Sequence, residues 1–272
     1  MRRALLAVVA VLLAVVAVIE WPAEAVDFAN RLAPPSSAHL LGTDQLGRDV
    51  LARVLGGLRY SLGLGLLALA LAVAVGTAGG LASGWWPRHP LARGTQALVD
   101  VLVALPALLV GLVVAAVLGS GLAPALLAIV LTGWAPFARQ AHRLTVAVRA
   151  EDWVLAATAL GAGPGRVLRH HVLPAISSPL LASLAARFAG TVLTLAGLSF
   201  LGVGIQPPTP EWGAMLAEGR TYVFVAPWLV VAPAAALVAT TLALGWIARD
   251  QPSGSGASRY AGGSWPWRWR TK

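Results

Sequence analysis

Residues 60–83 read YSLGLGLLALALAVAVGTAGGLAS, a run of 24 residues without a charged side chain. A helix of about 20 apolar residues crosses the roughly 30 Å hydrocarbon core of a lipid bilayer. The run therefore predicts a transmembrane helix, and similar runs recur along the chain.

The composition agrees with this prediction. Of the 272 residues, 58% are hydrophobic and 11% are charged, and the mean hydropathy is +0.76, whereas soluble domains carry roughly 25% charged residues. These values exclude a typical soluble enzyme or a disordered protein and predict a membrane protein. The chain has no cysteine, and its only lysine is Lys272, so it lacks the lysine of a P-loop ATPase. No catalytic set and no set of metal ligands stands out.

Six spans are predicted, which gives an all-α polytopic fold: 4–20, 60–83, 97–118, 122–138, 179–203 and 223–248. The first span has an alternative interpretation as a cleaved signal peptide, because a pair of arginines precedes it and Ala23-Glu24-Ala25 follows it.

The distribution of basic residues predicts the orientation. Fourteen of the 20 basic residues lie in the segments 1–3, 84–96, 139–178 and 249–272, and five lie in the opposite segments. Cytoplasmic segments carry the excess of Arg and Lys, so both termini are expected in the cytoplasm. The remaining basic residue, Arg187, falls within the fifth span. Charges at that depth usually face the bundle interior or water, which makes Arg187 a candidate for a translocation path or a subunit interface.

The segments between spans suggest the organisation. An N-terminal transmembrane helix (1–20) and an outer loop (21–59) precede a transmembrane domain (60–250), and a tail (251–272) follows. The tail is rich in Gly and Ser, then in Trp and Arg, as in a flexible segment that touches lipid headgroups. The inner loop, 139–178, is long and basic. We expect two short helices in it, separated by a turn at Gly161, with Pro174 ending the second.

The inner loop resembles the "EAA" loop of permease subunits of bacterial ABC importers. That pattern is Glu-Ala-Ala, three residues, Gly, nine residues, Ile, one residue, Leu-Pro. Matching residues in register are Ala156, Ala157, Gly161, Leu173 and Pro174, while Leu155 stands in place of the Glu and His171 in place of the Ile. Glu151 lies one turn earlier. The resemblance implies that this loop docks on an ATPase subunit.

Two further stretches resemble signatures of one branch of these importers, the second ("C") permease of dipeptide, oligopeptide and nickel systems. The first precedes the second span and contains Gly42, Thr43, Asp44, Gly47, Arg48 and Asp49. The second follows the fifth span and contains Phe200, Gly202, Gly204, Pro207, Pro208, Trp212 and Gly213. From the residues alone, 44–53 is either a capped amphipathic helix, with Asp44 or Asp49 as the cap, or an element at the membrane surface.

The resemblance implies a type I importer permease in the bacterial inner membrane. Its implied partners are a second permease subunit, two ABC ATPases and an extracytoplasmic solute-binding protein, within membrane lipid and without nucleic acid. ATP and Mg²⁺ would be bound by the ATPases, so this chain would be neither an enzyme nor a cofactor carrier.

Two questions stay open at this level. The favoured cargo is a di- or oligopeptide, and nickel or a nickel chelate is the alternative within the same family. A secondary transporter driven by an ion gradient is an alternative of another class, although it would require buried acids. A membrane-embedded hydrolase or an independent channel would require polar residues converging within the spans, which are nearly bare of them.

The orientation can be tested with reporter fusions. A cytoplasm-active reporter fused after Arg249 is expected to be active, and a reporter that works only outside the membrane is expected to be active near Ser36, because the basic segments stay inside. The matched control exchanges the two reporters, which should silence both. The opposite pattern would overturn the span assignment.

Overall fold

The computed structural model describes residues 23–249; the predicted first span, 4–20, and the tail, 251–272, lie outside the described residues. Between 23 and 249 the chain is helical, and its one isolated β-bridge joins Thr43 to Asp49. The prediction of an all-α chain is confirmed for this range.

Ten α-helices follow one another in the described range: α1 (Val50–Trp85), α2 (Pro90–Ala104), α3 (Ala107–Leu118), α4 (Leu122–Arg149), α5 (Asp152–Ala159), α6 (Pro164–Val167), α7 (Leu173–Ala182), α8 (Leu184–Phe200), α9 (Trp212–Gly219) and α10 (Trp228–Arg249). Short 3-10 turns cover Phe28–Asn30 and Arg220–Tyr222, and a π-helical turn, Leu168–Val172, joins α6 to α7.

Three of these helices, α1, α4 and α10, are long and apolar enough to cross a membrane unbroken. Two other predicted spans are bent pairs: α2 and α3 meet at 100°, and the run 164–182 meets α8 at 56°. The first bend falls at Pro106, which precedes α3, because the residue before a proline is driven to extended backbone. The described residues thus hold three spanning helices, or up to five if each bent pair is one span.

Two helices are longer than the sequence suggested. Helix α1 begins at Val50 instead of residue 60 and has 36 residues, about 54 Å at 1.5 Å per residue, which exceeds the roughly 30 Å membrane core. Helix α4 continues from the predicted end at 138 to Arg149. The outer loop and the inner loop are therefore both partly built from extensions of spanning helices.

Helices α1 and α4 pack together along most of their length. The contact runs along a glycine stripe on α1, where a Cβ on Gly76 would lie 2.7 Å from Phe137 Cβ, and one on Gly84 would lie 2.7 Å from Thr145 Cβ. A Cβ on Gly80 would lie 2.5 Å from Ala141 Cβ. The small-residue spacing of Gly76 and Gly80 predicts such close packing of helices, and the prediction is confirmed.

The opposite surfaces of the long helices are apolar and exposed. On α1, Leu67, Leu71 and Val75 recur every four residues and are 45–50% exposed. Spacing of four places them on one face of the helix. This stripe is the surface that the chain presents to lipid or to another subunit.

The glycine stripe predicts a stability difference between two neighbouring substitutions. Gly80→Ala should lower the melting temperature of the detergent-purified protein, because its Cβ must displace Ala141 or the backbone of α4, and overpacking costs about 1–3 kcal/mol. Gly79→Ala is the matched control, since a Cβ there would lie 3.7 Å from Trp134, an ordinary contact. Equal melting temperatures for the two variants would contradict the close packing.

Candidate functional site

The inner loop folds around the turn at Gly161. Helix α5 ends in a Schellman motif, in which Gly161 N–H donates to the Thr158 carbonyl at 3.0 Å and Ala162 N–H to the Ala157 carbonyl at 3.0 Å. The φ angle of Gly161 is +87°, and a Cβ there would have no atom within 4 Å. Glycine is therefore required for the backbone angle and not for space. The predicted turn is confirmed.

One face of α5 is open to solvent in this chain. Glu151, Ala156 and Gly161 are exposed, and Ala157 is half-buried. Leu155 and Leu160 are 54% and 89% exposed on the same short segment. The replacement of the usual Glu by Leu155 makes this surface more apolar, and exposed apolar side chains beside a sharp turn are typical of a docking surface.

The other face of the loop is anchored to the helix bundle. Val154 of α5 belongs to the same buried core as Val167 and Val172 of the following helical run. The Trp153 ring packs against the His171 ring, with centroids 5.8 Å apart. The loop is thus a folded unit, fixed underneath and free on its outer side.

Pro174 does not end the second helix of this loop, contrary to the sequence-based expectation. Helix α6, the π turn and α7 form one continuous run from Pro164 to Ala182. In the π turn, Leu173 N–H donates to the Leu168 carbonyl, five residues earlier in the chain. A proline at the start of α7 is therefore tolerated, because the regular ladder is already interrupted there. Leu173 and Pro174 are exposed on this second run, separate from the α5 surface.

Arg187 lies on α8, inside the helix bundle. Its guanidinium carbon is 4.7 Å from the centroid of the Phe137 ring on α4. It lines a cavity of about 310 Å³ between α1, α2, α4 and α8. Its membership of a translocation path or of a subunit interface stays a prediction.

The outer signature folds into a buried cluster of ions. Asp44, Arg48 and Arg53 are each 1–2% exposed, and Glu218 from α9 joins them. Asp44 Oδ2 accepts from Arg48 Nε at 2.6 Å and from Arg53 Nη1 at 2.8 Å. Glu218 accepts from Arg48 Nη2 at 3.1 Å and from Arg53 Nη2 at 2.6 Å. Two carboxylates thus neutralise two arginines and join residues at opposite ends of the domain; these four residues are called the outer ion cluster below.

The backbone around this cluster is irregular but well bonded. Of the two candidate caps, Asp49 is the one that caps α1, its Oδ1 accepting from Ala52 N–H at 2.8 Å while Oδ2 lies 2.8 Å from His39 Nδ1. Gly42 and Gly47 have φ angles of +72° and +75°. Thr43 is fully buried, and its carbonyl accepts from Trp228 Nε1 at 3.1 Å. Residues 44–49 are therefore a folded loop ahead of the helix, and the amphipathic helix expected from Asp44 onward begins only at Val50.

Nearer the start of this loop, the Asn30 side-chain amide donates to Asp27 at 2.7 Å. This hydrogen bond, with a second from Ala29 N–H, holds the pKa of the Asp27 carboxyl below its ordinary value.

The second signature locks onto α1. Glu211 is fully buried, caps α9 through Ala214 N–H at 2.9 Å and accepts from Ser61 Oγ at 3.1 Å. Trp212 Nε1 donates to the Val54 carbonyl at 2.9 Å, and its ring fills the space that Gly57 leaves. The two signatures are distant in sequence but meet on the N-terminal third of α1.

The remaining residues of the second signature shape the turn that leads from α8 to α9. Gly202 has a φ of +81°, and the bond between Pro207 and Pro208 is cis. Gly204 lies against Ser199, whose Oγ accepts from Ile205 N–H at 3.1 Å, and Gly213 packs on the Ala196 backbone. The Phe200 ring lies 5.8 Å from the Arg220 guanidinium carbon.

Sequence reasoning missed Glu218 and the buried role of Glu211. Glu218 is isolated in an apolar stretch, the only acid between Trp212 and Arg249. No local signal marked it, because Asp44 and Asp49 balance Arg48 and Arg53 in the sequence; in the fold, Asp49 instead caps α1 and contacts His39.

Comparison with known proteins gives a consistent result. Residues 76–249 match the family described as "Binding-protein-dependent transport system inner membrane component". The chain is 35% identical over 80% of its length, and 71% of the relative's, to the dipeptide transport system permease protein DppC of Alkalihalophilus pseudofirmus. It is 37% identical to glutathione transport system permease proteins GsiD of Pectobacterium atrosepticum, over 77% of the chain and 69% of the relative, and of Escherichia coli, over 80% and 71%.

Solved structures show the same fold. An inward-facing structure of the MetNI methionine ABC transporter aligns with a TM-score of 0.57 at 16% identity, covering 73% of this chain and 96% of that one. An amino acid ABC transporter crystallised with histidines aligns with a TM-score of 0.52 at 18% identity, covering 73% and 92%.

The outer ion cluster predicts a large difference between two Asp→Asn variants. Asp44→Asn leaves two buried arginines short of a counter-charge, and breaking a buried pair costs about 3–5 kcal/mol. Asp100→Asn is the matched control, because the Asp100 pair with Arg139, at 2.7 Å, is exposed and is expected to contribute about 1 kcal/mol or less. Melting temperatures in detergent check this; equal shifts for the two variants would contradict a stabilising role for the cluster.

Proposed function

Because the chain belongs to the family of binding-protein-dependent transport system inner membrane components, we propose that it is a peptide-importing permease subunit whose inner loop is driven by separate ATPases. Proteins of this family are the permease components of ABC importers. The peptide cargo is supported by the relatives named as dipeptide and glutathione permeases, which match four fifths of the chain.

The geometry of the inner loop is the observation that carries the proposal. Helix α5 and the Gly161 turn present an exposed apolar face, with Leu155 and Leu160 outward, while Val154 anchors the segment in the bundle core. A surface that is packed against the bundle on one side and exposed on the other can bind a partner and transmit its movement to the bundle. An ATPase subunit bound there would transfer its closure to the bundle as a change in helix packing.

The proposed assembly follows from this role. This chain pairs with a second permease, two ATPases bind the inner loops, and a solute-binding protein delivers cargo on the outer side. The chain itself performs no catalysis and holds no nucleotide; ATP and Mg²⁺ belong to the ATPases. Both termini are cytoplasmic, and the protein lies in the bacterial inner membrane, as the fourteen-to-five distribution of basic residues supports.

Reconstitution tests the proposal. In proteoliposomes that hold this chain, its partner permease and the ATPases, with the binding protein outside, uptake of a radiolabelled peptide is expected to need internal ATP. Uptake should persist when proton and sodium gradients are collapsed by ionophores. Uptake that needs a gradient instead of ATP would favour the secondary transporter, and ATP-dependent uptake of nickel without peptide would favour the alternative cargo.

The same assay tests the loop. Gly161→Val should abolish transport and co-purification of the ATPases, because a β-branched residue cannot adopt a φ of +87° without strain. Gly161→Asn, which tolerates this angle, should retain part of the activity. Gly163→Ala is the matched control, because Gly163 has a φ of −65° and open space at its Cβ position. Normal transport by Gly161→Val would overturn the docking role.

A further inference from the structure

The cavity around Arg187 has an unusual lining. It lies between four helices, beside the bend that separates α2 from α3, and has a volume of about 310 Å³. Most of its wall is apolar, with Leu69, Leu102, Ile129 and Phe137 among the lining residues. The lining contains one charge, that of Arg187, and no acidic residue.

The arginine is not neutralised within the described residues. Its Nε is buried and has no hydrogen-bond partner between residues 23 and 249. The cation is stabilised from one side by the face of the Phe137 ring at 4.7 Å, a contact worth far less than an ion pair in a desolvated site. Asp100, an acid in the C-terminal half of the adjacent α2, is already paired with Arg139 at 2.7 Å. As far as residues 23–249 show, the guanidinium is therefore available to an anion that enters the cavity.

Three threonines define the rest of the polar surface of the cavity. Thr191 Oγ1 donates to the Arg187 carbonyl at 3.0 Å, Thr194 Oγ1 to the Gly190 carbonyl at 2.9 Å, and Thr132 Oγ1 to the Ala128 carbonyl at 3.0 Å. Each hydroxyl has only one hydrogen, and each gives it to its own helix. What remains toward the cavity is acceptor capacity.

A cationic donor among hydroxyl acceptors matches one end of a peptide. The C-terminal residue carries a carboxylate, which an arginine binds with two parallel hydrogen bonds, and an amide N–H, which a hydroxyl oxygen accepts. The volume is at the lower end of the range for small-molecule sites and corresponds to a terminal residue better than to a whole oligopeptide.

We propose that Arg187, with the hydroxyls of Thr132, Thr191 and Thr194, binds the terminal carboxylate of the cargo on its way through the membrane. The inference rests on the proposed function, since it presumes that the cargo is a peptide. The site holds the cargo loosely, because a transit site must also release it.

The test measures uptake by the assembled importer in proteoliposomes. Two radiolabelled alanine peptides of the length that the binding protein binds are compared, one with a free C-terminal carboxylate and one with a C-terminal amide. Arg187→Gln is expected to slow ATP-driven uptake of the free acid by about tenfold or more, the loss expected for a charged hydrogen bond. Arg187→Lys keeps the charge but loses the second parallel hydrogen bond, so it should retain part of the activity, more than Arg187→Gln. ATP hydrolysis stimulated by the binding protein should stay within about twofold of wild type in both variants.

Uptake of the peptide amide distinguishes loss of carboxylate binding from structural damage to the protein. At equal occupancy of the binding protein, Arg187→Gln should leave uptake of the amide unchanged relative to wild type. Arg139→Gln is the matched control, because Arg139 is half-buried like Arg187 but lies outside the cavity, and this variant should transport both peptides normally. Equal loss for acid and amide would overturn the inference.

A lipid headgroup with net negative charge is the competing anion, and vesicle composition distinguishes it. If the Arg187→Gln defect disappears in vesicles made only of phosphatidylcholine and returns with phosphatidylglycerol, the arginine binds lipid and the inference fails. If the wild-type assembly takes up no peptide with ATP, the proposed peptide cargo itself fails. Wild-type uptake combined with a normal Arg187→Gln variant removes only the role of Arg187.

Discussion

The exclusion of water from the bilayer core is the constraint from which the rest of this structure follows. Each buried N–H and C=O must be bonded within the protein, so irregular backbone lies at the membrane faces or where it lines a cavity, as the break between α2 and α3 does. The chain follows this rule with long helices and with elaborate loops at both ends. Within the helices, the glycine stripe of α1 lets α4 approach closely, because van der Waals packing replaces the missing hydrophobic drive between helices. Arg187 is the exception, a charge held at depth beside an aromatic ring.

The outer ion cluster is the main tertiary link on one face. Arg53 and Glu218 are 165 residues apart in sequence and 2.6 Å apart in space, so their pairing requires the intervening helices to be assembled. Trp212 and Glu211 add bonds to α1 over the same region. The two signature stretches therefore act as one structural unit that closes the domain. The carboxylates of Asp44 and Glu218 balance the charges of Arg48 and Arg53, which explains why these two arginines are stable where almost no water reaches them.

A continuous packed core connects the inner loop with the cavity. Val154 of α5 and Val167 of α6 lie in the same buried cluster as Phe188 and Val192 of α8, and Phe188 directly follows Arg187 in that helix. Densely packed interiors transmit strain. A displacement of the proposed docking surface would thus bear on α8 and on the cavity through contacts between side chains. This arrangement would link closure of the proposed ATPases to the state of the proposed cargo site.

The sequence by itself determined the features that rest on local physics. Uncharged runs predicted the spanning helices, Gly161 predicted a turn, and Gly76 with Gly80 predicted close packing, because hydropathy and backbone freedom belong to short segments. The bend at Pro106 follows from the local effect of that proline, whereas the continuation of the helical run through Pro174 and the pairing of Glu218 with Arg48 and Arg53 were decided only by the folded structure. The π turn Leu168–Val172, directly before α7, makes Pro174 tolerable, and a counter-charge more than 160 residues away makes Arg53 tolerable. Neither the π turn nor the distant counter-charge, Glu218, is visible in the local sequence pattern, because both arise only in the folded chain.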